Sequence, residues 1–381
     1  GVERCLFGNG KELHFKKLMD FDTIGGKSNK NGARFDLDAM YVNWLGLSLK
    51  CYLPKSENSL SYVWESLKGK ISYCNIKRLM FSSGWRYYAE IVVSGAAPTR
   101  VSIGTSTMGI DPGVSTIAGV SEDACVLEEL APNAIQYEKK IQKISQRMDR
   151  SRRISNPNKY NEDGTINRSN RDPWKYSKNY VKMCRLLKSL YRKKHAYIVD
   201  SHRKLCNKLI TIARYFPVEK MHFQALQKRA KETKRQEKKT EVKQKDGTVK
   251  VIQKYKRKKR FGRSINRRAP ARFLLELKRK AEAVGGVYAE VDTKEFKASQ
   301  YNHVTDTYEK IPLSQREKEI GKRKVQRDLY SAFLIRNADL DFKHPDREKC
   351  EYEFEHFANL QDQLILKMKE SGLSMRQCFG F

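Results

Sequence analysis

Three of the acidic residues in this very basic chain each stand where an apolar segment begins or ends. They are Asp111 in Met108-Gly-Ile-Asp-Pro-Gly-Val114, Glu219 in Phe216-Pro-Val-Glu-Lys-Met-His-Phe223, and Asp328 in Val325-Gln-Arg-Asp-Leu-Tyr-Ser-Ala332. The formal net charge is +33, which points to a polyanionic partner. Carboxylates would repel that partner unless a divalent cation stood between them. Acidic residues set into so basic a chain therefore suggest metal-assisted cleavage of nucleic acid.

The elements that must position these residues can be read from periodicity. Gly109-Ile110 leads into Asp111 as a strand, and Thr116 to Val120 reads as its hairpin mate across a turn at Pro112-Gly113. Leu209 to Ala213 and Tyr215 to Val218 read as a helix feeding a short strand that ends at Glu219. Asp328 opens a helix whose apolar residues are Leu329, Ala332, Phe333 and Ile335, a position that the helix dipole favours. A carboxylate at the end of a central strand is a usual place for a site residue in a sheet enzyme.

Upstream, residues 1–105 alternate as a β-rich unit, with strands expected at Leu45–Leu53 and Trp85–Val93. Helices are expected over Ala134 to Ser155, with Tyr137, Ile141, Ile144 and Met148 on one face, and over Lys175 to Ile212. Residues 225–270 are the most basic stretch. It holds Lys228, Arg229 and Lys231, a hairpin on an Asp246-Gly247 turn, the run Lys256, Arg257, Lys258, Lys259, Arg260, and then Arg267 and Arg268. An interior hairpin flanked by two basic clusters reads as a clamp on a phosphate backbone.

The eight cysteines are scattered, with none between Cys206 and Cys350, so they read as reduced thiols rather than a disulfide framework. No apolar run is long enough for a membrane span and no secretory signal is apparent, so no membrane partner and a cytoplasmic or nucleoid location are expected. The chain starts at Gly1, as the later part of a longer product would.

The three acidic settings, in this order, resemble the three RuvC motifs of the TnpB (OrfB) proteins of bacterial insertion sequences, which are related to type V CRISPR effectors. Met108 to Thr116 resembles the first motif, Val218-Glu-Lys-Met-His-Phe-Gln-Ala-Leu226 the second, and Arg327-Asp-Leu-Tyr-Ser-Ala332 the third. The similarity runs from about Leu45 to the C-terminus. It implies an α/β architecture: an RNase H-like (RuvC) nuclease domain over 106–381, preceded by a β-barrel-like wedge domain over 1–105 that is incomplete at its start. The basic helical insertion would be 132–212, the hairpin clamp 228–270 and a further insert 293–327. It also implies an RNA-guided DNA endonuclease of a mobile element. Asp111, Glu219 and Asp328 would be the ligands of Mg²⁺ (or Mn²⁺) in two-metal-ion phosphodiester hydrolysis, with guide RNA and target DNA as partners of a monomer or homodimer.

Members of that family carry a four-cysteine zinc ribbon between the second and third motifs. Here Ala298-Ser-Gln-Tyr-Asn-His303 stands at that place, and His303 alone cannot supply the four ligands of a structural zinc. No structural zinc is expected. Two alternatives remain: a nuclease-inactive nucleic-acid-binding regulator or decayed transposon protein, and an RNA-independent RNase H-like resolvase or transposase.

Overall fold

The computed structural model describes residues 21–162, 164–227, 235–243, 248–255, 261–312 and 314–372, together with Leu6. The chain divides into two units, Gly1–Arg100 with Gln136–Ala196, and Val101–Ile135 with Tyr197–Phe381. The segment 132–212 is thus shared between them.

The first unit holds β1 (Thr23–Gly25), β2 (Arg34–Asp36), β3 (Tyr41–Trp44), β4 (Leu47–Lys50), helix α1 (Glu57–Leu67), β5 (Ile71–Phe81) and β6 (Gly84–Val93). These strands form two three-stranded antiparallel sheets, ordered β1-β5-β6 and β2-β3-β4. Among the described residues neither sheet closes, so the expected β-barrel-like wedge is corrected to two small open sheets. One reason is local. Leu45 and Gly46 both take positive φ, 46° and 80°, the backbone of a two-residue hairpin turn whose twist matches the flanking strands. The expected strand from Leu45 is therefore cut to the four residues of β4. Such short strands cannot wrap far. Ala33, Phe35, Val42, Leu67 and Cys74 are the buried core of this unit.

The basic segment between the motifs forms helices α2 (Ala134–Ser155) and α3 (Lys178–Ile212). Within the first unit, Lys194 pairs with Glu138 at 3.0 Å. Between the helices Asn156 Nδ2 donates to the carbonyls of Arg152 and Lys175, both at 2.8 Å. On α2 the expected face is the covered one, with Ile141 buried and Tyr137, Ile144 and Met148 half-buried.

The second unit adds β7 (Ser106–Thr107), β8 (Gly109–Pro112), β9 (Thr116–Val120), β10 (Cys125–Glu129), β11 (Ala213–Glu219), α4 (Phe223–Gln227), β12 (Arg235–Lys243), β13 (Val249–Tyr255), α5 (Gly262–Arg268), α6 (Pro270–Ala283) and β14 (Val287–Val291). After them come α7 (Thr293–Phe296), β15 (Tyr301–Asn302), β16 (Thr307–Tyr308), β17 (Glu317–Ile320), β18 (Arg323–Gln326), α8 (Arg327–Arg336) and α9 (Arg347–Glu370). Its main sheet is mixed, in the order β10-β9-β8-β11-β14 with β7 beside β11. The β10-β9-β8 meander is antiparallel, whereas β8, β11 and β14 run parallel. Alternation sorts the side chains between two cores. Met108, Ile110, Ile117, Phe216 and Val218 face the layer of α3 and α6. Ala118, Val120, Leu127 and Val291 face α8 and α9. Among the described residues no helix is long and apolar enough to cross a membrane.

Segment 293–327 folds as two short hairpins, β15-β16 and β17-β18. Apolar and aromatic side chains hold them: Tyr301, Ile320 and Val325 are buried in one core with Tyr330, Phe333, Phe354 and Phe357. His303 sits inside it, its Nδ1 2.7 Å from Tyr330 Oη and its ring 4.8 Å from that of Phe354. Burial lowers the His303 pKa from 6.5 to about 4, and burial does the same to His202 beneath Phe273. The unfolded chain therefore takes up protons first as pH falls. The stability these neutral rings confer is full above pH 6.5 and declines between 6.5 and about 4. The loss approaches about 3 kcal/mol for each ring. Urea unfolding at pH 7 and pH 5 is expected to show this decline in the wild type and a shallower one in His303→Phe. Equal declines would mean that His303 does not titrate as a buried ring.

Candidate metal centre

Strands β8 and β11 lie side by side and parallel, with Val218 opposite Ile110. Both of those residues point into the α3–α6 core. The next residue on each strand must point the other way, and these are Asp111 and Glu219. Two carboxylates more than a hundred residues apart in sequence thus meet at the carboxyl ends of adjacent parallel strands, where open sheets place their sites. Their side chains share a hydrogen bond.

Asp328 comes from above this face, in the first turn of α8. Gln326 caps that helix, its side-chain oxygen accepting from Leu329 N at 2.7 Å. Gln361 of α9 fixes the cap in turn, since its Oε1 accepts from Gln326 N at 2.7 Å. Helix α8 lies directly on β8 because Gly109 has no side chain. A Cβ there would fall 2.2 Å from the Ala332 carbonyl oxygen and 2.3 Å from Arg336 N. Gly109 and Asp111 share a strand face, while Asp328, Ala332 and Arg336 share a helix face. The close approach at Gly109 is therefore what brings Asp328 over Asp111.

Electrostatics couples the three groups. Burial pushes the Asp111 carboxyl well above its usual range. The charges of Glu219 and Asp328 and the hydrogen bond to Glu219 push it further, and Arg327 partly offsets them. Burial also raises Glu219, as does the charge of Asp328, while the Asp111 hydrogen bond opposes the rise. Two carboxyls in hydrogen-bond contact cannot both be ionised cheaply, and a shared proton relieves them. A hard divalent cation would relieve them as well, with oxygen ligands of the kind Mg²⁺ takes. To that extent the residues fit the metal.

Asp328 is not turned wholly to that task. Its Oδ1 accepts from Arg327 Nε and Nη2 at 3.1 and 3.0 Å, and its Oδ2 accepts from Arg316 Nη1 at 3.3 Å. Among the described residues no three His, Cys, Asp or Glu side chains are gathered closely enough to hold a metal ion. Arg316, Gln326 and Gly109 are absent from the residues that the sequence singles out. Gly109 had a signal, a glycine inside a strand beside a site residue. Arg316 had none.

Of the expected phosphate-binding residues, Lys228, Arg229, Lys231 and Lys256, Arg257, Lys258, Lys259, Arg260 lie outside the described residues, as does the Asp246-Gly247 turn. Arg267 is half-buried. Arg268 is a correction: it is 9% exposed and ion-paired with Glu129, tying α5 to β10. A guanidinium so placed at the end of a packed helix is structural. The hairpin of β12 and β13 is present, with Lys243 opposite Val249. Helix α4 follows closely on Glu219, and Ser264 of α5 donates to the Val114 carbonyl, in the turn after Asp111, at 3.4 Å.

No family model matches the chain, and no curated protein matches it. A solved structure described as "Cryo-EM structure of CRISPR-Cas12f Ternary Complex" is similar, with 14% identity and a TM-score of 0.34 over 83% of this chain. The chain spans about half of that protein, 51% of its length.

Proposed function

We propose that this chain is a divalent-metal-dependent endodeoxyribonuclease of the RNA-guided, TnpB-like kind, cutting at Asp111, Glu219 and Asp328. The observation that carries the reading is the register of β8 and β11, with Val218 opposite Ile110. It joins two motif carboxylates at one strand end, on the face where α8 delivers the third. Half-buried carboxyls of raised pKa that perturb each other are a usual mark of a functional site. The RNase H-like (RuvC) assignment is part of this proposal, supported by the mixed sheet and the order of the three acidic elements along it.

Asp111, Glu219 and Asp328 would hold Mg²⁺, or Mn²⁺ in its place. Bound there, the ion supplies Lewis-acid stabilisation of phosphate charge and activation of water. The chain's own part is to fix the carboxylates. Gly109 seats α8, the Gln361–Gln326 contact fixes its first turn, and the apolar layers behind Ile110 and Val218 keep both strand ends rigid. Guide RNA would supply sequence choice by base pairing, while the protein grips the duplex by shape and backbone. The basic helices and the β12–β13 hairpin are the proposed grip. No zinc is assigned to segment 293–327.

A second reading, a nuclease-inactive binder, has one observation in its favour: Asp328 is ion-paired with arginine rather than gathered with the other two. Sequencing the RNA that co-purifies with the protein, and then offering DNA matched to it in Mg²⁺, separates the two. The nuclease reading predicts cuts that need the match and vanish in Asp111→Ala. Bound RNA without any cutting would favour the binder, and cutting without RNA would favour a resolvase-like or transposase-like enzyme.

The hairpin segment carries its own prediction. Neutralising Lys256, Arg257, Lys258, Lys259 and Arg260 together should weaken binding to matched and mismatched targets alike. It should also flatten the dependence of log affinity on log salt by about one for each phosphate no longer neutralised. An unchanged slope would mean that the run does not touch the backbone.

A further inference from the structure

Arginine holds both oxygens of Asp328. Arg327 makes a two-pronged contact with Oδ1 at 3.1 and 3.0 Å, and Arg316 reaches Oδ2 at 3.3 Å from the loop before β17. Gln326 Nε2 lies 3.5 Å from Oδ2. These contacts occupy the lone pairs through which a carboxylate would bind a cation. Guanidinium groups are also the side chains best shaped for phosphate oxygens. If Asp111, Glu219 and Asp328 hold a metal, the phosphate to be cut must lie beside it, within reach of the same two arginines. Arg327 is buried and tethered, its Nη1 donating to the Gln315 carbonyl at 3.2 Å. The Arg316 side chain is 31% exposed, so it can swing toward incoming nucleic acid.

We propose that Arg316 and Arg327 are phosphate-binding residues that exchange Asp328 for a backbone phosphate of the entering strand, and that this exchange completes the carboxylate set. The inference rests on the metal-centre reading above. No charge is stranded in the exchange. The arginines pass from a carboxylate to a phosphate, and Asp328 passes from arginine to the cation, so each ion keeps a counter-ion in a site where an unpaired charge would be costly. Linkage then requires reciprocity: a bound phosphate strengthens metal binding, and metal strengthens phosphate binding by the same factor. Before substrate arrives the third ligand is withheld, which limits idle cleavage.

The test uses the full chain, Mn²⁺ binding read by electron paramagnetic resonance, and thymidine 3′,5′-bisphosphate as a strand mimic with no phosphodiester to cut. In the wild type the bisphosphate is expected to tighten Mn²⁺ binding by about tenfold or more. Arg316→Ala should bind Mn²⁺ more tightly than wild type when the bisphosphate is absent, and its gain on adding the bisphosphate should fall to about threefold or less. Arg316→Gln, which keeps a polar side chain, should behave in the same direction, and melting curves check that both variants fold. Unchanged or weaker Mn²⁺ binding by both Arg316 variants, with the full bisphosphate gain retained, would overturn the exchange. Asp111→Ala keeps that failure distinct. If it abolishes Mn²⁺ binding while the Arg316 variants behave as wild type, the exchange is wrong and the metal centre stands. If Asp111→Ala leaves Mn²⁺ binding intact, the metal-centre reading itself falls.

Discussion

Asp111→Ala, Glu219→Gln and Asp328→Ala are each expected to abolish DNA cutting while leaving RNA binding at the wild-type level. A metal at this site contributes several kcal/mol to the transition state, so losing it should slow cleavage by roughly a thousandfold or more. Glu219→Gln is the mildest change sterically, because the amide keeps the shape and can still hydrogen-bond Asp111. It removes only the charge a cation needs. The Asp111 and Glu219 variants should retain their fold, since desolvation already disfavours the charged form of both carboxyls. Neutralising either relieves that strain, and small gains in unfolding stability are expected for Asp111 and Glu219 variants. Asp328→Ala instead removes the carboxylate that Arg327 pairs with, and a melting curve checks its fold. Single-turnover cleavage and RNA retention, measured together, check the claim. Near-normal cutting by any one variant would remove that residue from the metal set.

Gly109→Ala is expected to be nearly as damaging, for a different reason. The new methyl would stand 2.2 Å from the Ala332 carbonyl oxygen and 2.3 Å from Arg336 N. Both are backbone atoms of a helix buried along its length, so neither can yield alone. Either α8 lifts from β8 or the strand end shifts. Overpacking of this kind costs about 3 kcal/mol. A shift of the helix start by even about an ångström would cost roughly a hundredfold in cleavage. Urea unfolding and cleavage rate should therefore fall together. A Gly109→Ala protein as stable and active as wild type would show that α8 does not depend on this close approach to present Asp328.

Most elements are legible in the sequence because their signals are local. The face of Tyr137, Ile141, Ile144 and Met148 marks α2, which spans Ala134–Ser155 as expected. The apolar run before Glu219 becomes β11, and Asp328 falls in the first turn of α8. What joins the carboxylates is not local. The pairing of β8 with β11 depends on a long crossover connection, and no residue pattern states which strands will be neighbours. Only the resemblance to an ordered set of motifs suggests it. The Arg316–Asp328 contact is similarly hidden, since it depends on where the loop before β17 returns. Two expectations fail on short-range chemistry. Leucine suits a strand, yet Leu45-Gly46 occupies a turn with both residues at positive φ. The basic neighbourhood of Arg268 suggests a surface cation, yet helix packing buries it against Glu129.

The central claim is that Asp111 and Glu219 together carry a divalent cation. Crystals of the protein with its bound nucleic acid, soaked in Mn²⁺ and measured for anomalous scattering, test it most directly. The account predicts a strong anomalous peak about 2.1 Å from carboxylate oxygens of both Asp111 and Glu219, with Asp328 drawn toward it and away from Arg316. Contradiction would be an intact Asp111–Glu219 hydrogen bond, with no Mn²⁺ beside it and Asp328 still held by both arginines.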